Sequence, residues 1–351
     1  MQILKARLNT SLVVASLFFV ATFFFFLRKN EISSHFYANI ASQYLNKSGF
    51  RLDEPYDRLD CLGVSQTLFE KAENLNPKND NSARWLAAIY QVQGLDDTAF
   101  AMWRKTESDT TELLWWGRQA FNDGKFAAAQ NWFEMIVALQ PDSSDGWYEL
   151  GLTQAKLEEW LGAVHSFEKS VLVNNFKTIP ISSGYYRLAL GYHRFPIPAQ
   201  PEAALSAYNQ ALLWDEFQNV EEKADAYYGR AELLRQDGDF GQALLDYQQA
   251  LQLNSRHEWA WLGFALTQYA INGDGQTAKQ IIQETLNLWP EQPSKRWPYY
   301  YLATIYENAG QGDLAIENYK IALSYDPNDQ SARERLEGLL SENSINGASK
   351  D

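Results

Sequence analysis

The sequence predicts an all-α protein, an α-solenoid of about seven to eight helix-turn-helix repeats preceded by an N-terminal transmembrane helix. Two observations predict this fold class. A small residue followed four positions later by a large apolar residue recurs along the chain, which is typical of stacked helical repeats. An uncharged apolar segment also lies close to the first residue, and its length suits a bilayer.

The composition is that of a globular protein with few special chemical groups. The chain has 351 residues, is 46% hydrophobic and carries a formal net charge of -14. The acidic balance disfavours nonspecific attraction to nucleic acid, so we expect no nucleic-acid partner. Cys61 is the one cysteine, which excludes an intramolecular disulfide and a cysteine-based metal cluster formed by this chain alone.

The apolar segment covers about residues 10–27 and contains no charged residue. Lys5 and Arg7 precede it, and Arg28 and Lys29 follow it, as is common where a helix is fixed at both membrane interfaces. A cleaved signal peptide is the alternative, but basic residues stand where cleavage requires small ones. We therefore expect an uncleaved, single-pass membrane protein with a cytoplasmic N-terminus and a periplasmic or extracellular repeat domain.

The remaining chain is predicted to be a repeat array with a terminal helix. Residues 331–340 read as an amphipathic helix that caps the last repeat. The predicted segments are a membrane anchor over 1–29, a connector with a candidate first-helix cap over 30–60, the array with its capping helix over 61–340, and a flexible tail over 341–351.

The clearest repeat copy runs from residue 296 to residue 328. Its large residues have helical spacing, a glycine ends its first helix, small residues allow close helix contact, and a proline ends its second helix. In order, these positions are Tyr299, Leu302, Ala303, Tyr306, Gly310, Ala315, Tyr319, Ala322 and Pro327.

This copy resembles the tetratricopeptide repeat, and the resemblance extends over most of the chain. The small residues of the aligned second helices are Ser65, Ala99, Ala129, Ala163, Ala204, Ala243, Ala278 and Ala315. The large residues four positions later are Phe69, Trp103, Phe133, Phe167, Tyr208, Tyr247, Ile282 and Tyr319.

The resemblance implies that the first helix of each repeat lines a concave groove that binds a protein or an extended peptide. Tyr148, Tyr186, Tyr228 and Tyr300 recur at one repeat position, where they either contact a ligand or pack between helices. The carboxylate-clamping subset of the family is not reproduced, since Arg84 and Ala88 stand at its sites. The predicted groove residues are Arg84, Arg118, Tyr148, Lys156, Tyr186, His193, Arg194, Tyr228, Arg235, Trp297 and Tyr300.

No motif for catalysis, metal binding or a cofactor is found. The four histidines are scattered over different repeats, and we expect surface roles for them. The predicted function is therefore that of a membrane-tethered protein-interaction scaffold, not an enzyme, in envelope biogenesis, secretion or surface-polysaccharide assembly. The alternative is a carbohydrate-binding module, in which sugar rings stack on the aromatic side chains of the groove.

Overall fold

The computed structural model describes residues 28–46, 59–106, 110–195, 197–289 and 293–348, and all regular structure within them is helical. The predicted all-α class is therefore confirmed. The α helices are α1 (28–46), α2 (Leu59–Leu75), α3 (Asp80–Val92), α4 (Asp96–Trp103), α5 (Thr111–Asn122), α6 (Phe126–Leu139), α7 (Ser144–Lys156), α8 (Trp160–Val173), α9 (Ile181–Arg194), α10 (Pro201–Trp214), α11 (Val220–Asp237), α12 (Phe240–Leu253), α13 (Glu258–Asn272), α14 (Gly275–Thr285), α15 (Arg296–Asn308), α16 (Gly312–Tyr325) and α17 (Gln330–Ala348).

The chain divides into two compact units, Met1–Leu157 and Glu158–Asp351. Helices α1 to α7 belong to the first unit and α8 to α17 to the second. Within each unit, most helices that follow one another along the chain pack as antiparallel neighbours, as short connections between helices require.

The recurring pair of small and large residues forms the core of every repeat. All eight small residues of the second helices are fully buried, and all eight large residues are 3% exposed or less. A small side chain lets two helix backbones approach closely, and the large side chain one turn later fills the space beside them. The alignment of repeats made from sequence is confirmed by this burial.

Glycines end the first helix of several repeats. Gly94, Gly124, Gly238 and Gly310 have φ values between +69° and +87°, a conformation that costs glycine nothing. Glu158 occupies the corresponding turn with a φ of +63°, although it is not a glycine. The predicted role of Gly310 as a left-handed cap is confirmed.

Both ends of the described array are helical. Helix α1 packs against the first two repeat helices, and its backbone accepts a hydrogen bond from Ser65 Oγ at the carbonyl of Ala41, 2.9 Å away. Helix α17 covers the last repeat with Ala332 against Tyr319. It continues to Ala348, past residue 340, where the sequence predicted the array to end and a tail over 341–351 to begin.

The predicted membrane localisation needs correction. Among the residues that the structure describes, no helix combines the length and the apolar composition required to cross a bilayer. The described helices instead alternate buried and exposed residues, as helices do that pack on one face. On this finding the prediction of a single-pass membrane protein is wrong. The predicted transmembrane segment, about residues 10–27, lies outside the described residues.

Candidate functional site

The candidate site lies in the second unit, on the first helices of successive repeats. Helix α11 contacts both α9 and α13, so these three helices form one surface. A cleft of about 280 Å³ opens between them. Its lining includes Tyr186, Arg194, Asp225, Tyr228, His257 and Trp259.

One buried tyrosine of a second helix reaches this surface in the repeat formed by α11 and α12. Tyr247 is fully buried, and its hydroxyl donates a hydrogen bond to the Glu232 carboxylate. Arg235 pairs with the same carboxylate at 3.0 Å. Burial and the neighbouring Glu232 raise the pKa of Tyr247, so the phenol stays protonated and Glu232 remains the acceptor.

The repeat formed by α15 and α16 has the same arrangement. The Tyr319 hydroxyl donates to Glu307 Oε2 over 2.7 Å, and Arg335 of α17 lies 3.1 Å from that oxygen. In both repeats, one glutamate therefore accepts the tyrosine hydroxyl and neutralises an arginine.

The repeat formed by α9 and α10 differs because a histidine, and not a glutamate, lies next to the hydroxyl of its buried tyrosine. His193 Nδ1 lies 3.3 Å from the hydroxyl of the fully buried Tyr208. Burial of the ring and the nearby charge of Arg194 lower the pKa of His193 to about 4. The imidazole is therefore neutral at physiological pH, and it supplies no negative charge for Arg194.

Arg194 differs from the other arginines on the first helices of these repeats in its lack of an ion pair with a described carboxylate. Its guanidinium carbon lies 5.2 Å from the ring centroid of Tyr228, a cation–π contact. Within the described residues, no carboxylate lies within ion-pair distance of it, whereas each other arginine of α9, α11 and α15 has one. Those pairs are Arg187 with Glu222, Arg230 with Asp246, Arg235 with Glu232, and Arg296 with Asp326.

Asp225 is an acid of the same cleft, and both of its oxygens are engaged. Tyr186 Oη donates to Asp225 Oδ2 over 3.1 Å, and His257 Nε2 lies 3.1 Å from Asp225 Oδ1. His257 Nδ1 accepts a hydrogen bond from the amide of Ala260, so the ring proton is on Nε2, which donates to Asp225.

Aromatic side chains extend from the cleft towards α15. Trp259 lines the cleft, and its ring centroid lies 6.3 Å from that of Trp297. The Trp297 ring is in turn stacked on Tyr301 at a centroid distance of 6.1 Å. These rings are half-buried, so part of each is available to an apolar ligand group.

The structure thus brings together part of the predicted groove in the second unit. Tyr186, Arg194 and Tyr228 share one cleft, and His193 lies beside Arg194. Tyr186 and Tyr228 are buried, so little of either ring is open to a ligand. The remaining predicted residues of this unit lie on the same inner helices: Arg235 on α11, and Trp297 and Tyr300 on α15.

The predicted groove residues of the first unit are held by their own chain or lie apart. Arg84 pairs with Asp80 at 2.9 Å and with Glu112 at 3.5 Å. Arg118 pairs with Glu149, and burial raises the pKa of that carboxyl group against the opposing effect of Arg118. The other two are Tyr148, which is buried, and Lys156, which is exposed at the end of α7.

Sequence reasoning missed Asp225, His257 and Trp259. The expectation that His257 has a surface role is wrong, because the residue is buried and caps α13. The sequence does indicate the capping role of His257, because this residue precedes its helix at the repeat position where Asn79 and Ser143 cap α3 and α7. Asp225 lies one turn before Tyr228 on the same helix face, which is also visible in the sequence.

Comparison with known proteins agrees with this architecture. Residues 224–257 match the family model described as the tetratricopeptide repeat. No match was found among curated proteins.

Two solved structures show the same fold. The chain is similar to one in the APC/C hetero-tetramer Cut9-Hcn1, with a TM-score of 0.52 and 15% identity over 79% of this chain. It spans about half of that relative, 52% of its length. It is also similar to PilW, a widely conserved type IV pilus biogenesis factor, with a TM-score of 0.51 and 13% identity over 65% of this chain and 98% of that one.

Proposed function

The chain is a tetratricopeptide repeat protein, and on that basis we propose that the cleft between α9, α11 and α13 binds an extended segment of a partner protein. Repeats of this kind generally mediate interactions with proteins or peptides. An acidic side chain of the segment binds Arg194. The apolar side chains of the segment contact an aromatic row formed by Trp259, Trp297 and Tyr301.

The unpaired state of Arg194 carries this proposal. A planar guanidinium offers paired donors that match a carboxylate, and Tyr228 beneath it limits the orientations that it can adopt. Because Arg194 is exposed in the cleft, a ligand carboxylate reaches it without displacing a protein group. The paired arginines Arg187 and Arg230 would first have to break an internal ion pair.

Contacts along the aromatic row add affinity without specifying charge. Proline and aromatic side chains of an extended peptide pack well on half-exposed rings. The carbohydrate alternative has less support, because sugar stacking needs open ring faces and three of the four recurring tyrosines are buried, namely Tyr148, Tyr186 and Tyr228.

A peptide selection experiment tests the proposal. The full chain is used to select from a phage-displayed library of random linear peptides, and the affinities of the selected peptides are measured by calorimetry. We expect an aspartate or glutamate to be enriched at one fixed position. The Arg194→Gln variant should bind these peptides about tenfold more weakly, as loss of one charge-assisted contact implies.

The matched control is Lys320→Gln, which removes the same charge from an exposed site on α16. It should bind like the unchanged protein, because α16 is a second helix and contributes nothing to the cleft. Selected peptides without an acidic position, or equal binding by the Arg194→Gln variant, would refute the proposal.

A further inference from the structure

We infer that a second interaction site lies at the start of α8, where an apolar groove with an acidic rim binds a partner segment that carries a basic side chain next to an apolar one. This α8 groove has a volume of about 520 Å³, and it is lined by the first residues of α8 and by the loop between α9 and α10. The described residues that line it differ from those that line the cleft. The inference therefore goes beyond the proposed function of the cleft.

Leu161 supplies much of the apolar surface of the α8 groove. Its side chain is 72% exposed at the second position of α8, and Ile197 and Pro198 extend the apolar surface. The repeat does not need a large apolar residue at this position, because the other second helices carry small or polar residues there: Gly63, Asp97, Ala127, Glu202, Gly241, Gln276 and Asp313. A contiguous exposed apolar surface with a charged rim is typical of a site that contacts another protein.

The walls of the α8 groove are fixed by contacts within the chain. Trp160 lines the groove, and its ring centroid lies 4.9 Å from that of Phe195. The amide of Ile197 donates a hydrogen bond to the carbonyl of Phe195 over 2.8 Å, and the amide of Gln200 donates to the carbonyl of Tyr192 over 3.5 Å. These two bonds tie the loop to the end of α9. A surface that is already formed loses little conformational entropy on binding.

The rim of the α8 groove is acidic. Glu158 and Glu159 are both exposed, and they are the charged residues among the described lining of the groove. Within the described part of the chain, Glu158 forms no ion pair, so a partner cation can reach its carboxylate without displacing a protein group. An apolar surface beside this negative charge is complementary to a segment in which lysine or arginine adjoins an apolar residue, and it disfavours an acidic segment.

The backbone at Glu158 gives a second reason to assign a function to this carboxylate. Its φ is +63°, at the turn where Gly94, Gly124, Gly238 and Gly310 stand in other repeats. A residue with a side chain is strained in this conformation, whereas glycine is not. Strain of this kind is tolerated where the side chain serves a purpose, and binding a partner cation at the rim of a groove is such a purpose.

The variants that test the α8 groove are Leu161→Gln, Glu158→Gln and Glu158→Gly. Both side chains are exposed, and glycine suits the turn at residue 158, so we expect all three variants to fold. The matched controls are Leu172→Gln, which is 76% exposed near the other end of α8, and Glu317→Gln, which is exposed on α16. Thermal melting followed by circular dichroism verifies that each variant is folded before its binding is measured.

The probe is a phage-displayed library of random linear peptides, selected on the full chain carrying Arg194→Gln, which removes the cation proposed to bind acidic segments. We expect enrichment of peptides in which lysine or arginine adjoins a large apolar residue. Calorimetry in the same background should show about tenfold weaker binding for Leu161→Gln and about threefold weaker binding for each Glu158 variant. The two controls should bind these peptides as the parent chain does.

A selection that enriches no such peptides would overturn the inference. Equal effects of Leu161→Gln and Leu172→Gln, or of Glu158→Gln and Glu317→Gln, would overturn it as well. In that case the net negative charge of the chain, and not the α8 groove, would attract the basic peptides. The proposed function of the cleft is tested separately, because it depends on acidic peptides and on Arg194 in the unchanged protein.

Discussion

His257 Nε2 donates a hydrogen bond to Asp225 Oδ1 over 3.1 Å, and this contact joins the start of α13 to the middle of α11. The same imidazole caps α13 through Nδ1. One side chain therefore stabilises a helix end and fixes an acid of the binding cleft.

The two roles of His257 can be separated by substitution. We expect His257→Ala to lower the free energy of unfolding by about 2 kcal/mol, because it loses the helix cap and a hydrogen bond to a charged group. His257→Asn should recover about 1 kcal/mol by keeping the cap. Denaturant titration measures both, with exposed His165→Ala as the control. Equal losses for alanine and asparagine would contradict the capping role.

The identity of residue 193 should control the charge of the cleft. His193→Glu places a carboxylate beside Arg194, as Glu307 lies beside Arg335, so we expect about tenfold weaker binding of an acidic peptide. His193→Gln keeps a neutral polar group and should bind as before. Calorimetry with a selected acidic peptide measures both. Similar affinities for the two variants would show that Arg194 does not anchor the ligand.

Protein stability should depend on pH through His193. Its folded-state pKa of about 4 lies below the ordinary value, so between pH ~6.5 and ~4 the unfolded chain binds a proton that the folded protein does not. Stability therefore falls as the pH drops through this range. We expect a contribution below about 1.4 kcal/mol per pH unit, since the ring is only half-buried.

The control for this pH dependence is His193→Gln. The variant lacks the titrating group, so its unfolding free energy should decrease less between these pH values than that of the unchanged protein. Urea titrations at several pH values give the comparison. Parallel curves for the two proteins would argue against the lowered pKa of His193.

Close helix contact makes Gly263 intolerant of a side chain. A Cβ there would lie 2.5 Å from ring atoms of Tyr247, which is fully buried and cannot move aside. We expect Gly263→Ala to cost about 2 kcal/mol through overpacking. The control is Gly241→Ala on α12, where nothing lies nearer than 3.9 Å and the better helix former should stabilise by about 0.5 kcal/mol. Thermal melting measures both variants, and we expect the melting temperature to fall for Gly263→Ala and to rise for Gly241→Ala. Equal shifts of the two melting temperatures would contradict the prediction.

The sequence by itself determined the repeat architecture. The position of Ala243 four residues before Tyr247, repeated in every copy, is a local pattern that requires one buried stripe on each second helix. Gly310 could likewise be assigned as a cap, because its role depends only on the backbone of its own turn. Such features need no knowledge of distant residues.

The tertiary structure decided which groove residues are available to a ligand. Whether an arginine is free depends on acids from other helices: Arg187 is neutralised by Glu222 of α11, and no sequence spacing indicates this. The burial of Tyr186 likewise comes from its neighbours in space, and its position in the sequence does not show it. Burial and ion pairing arise from contacts between helices, so the candidate site could be recognised only after the helices were placed.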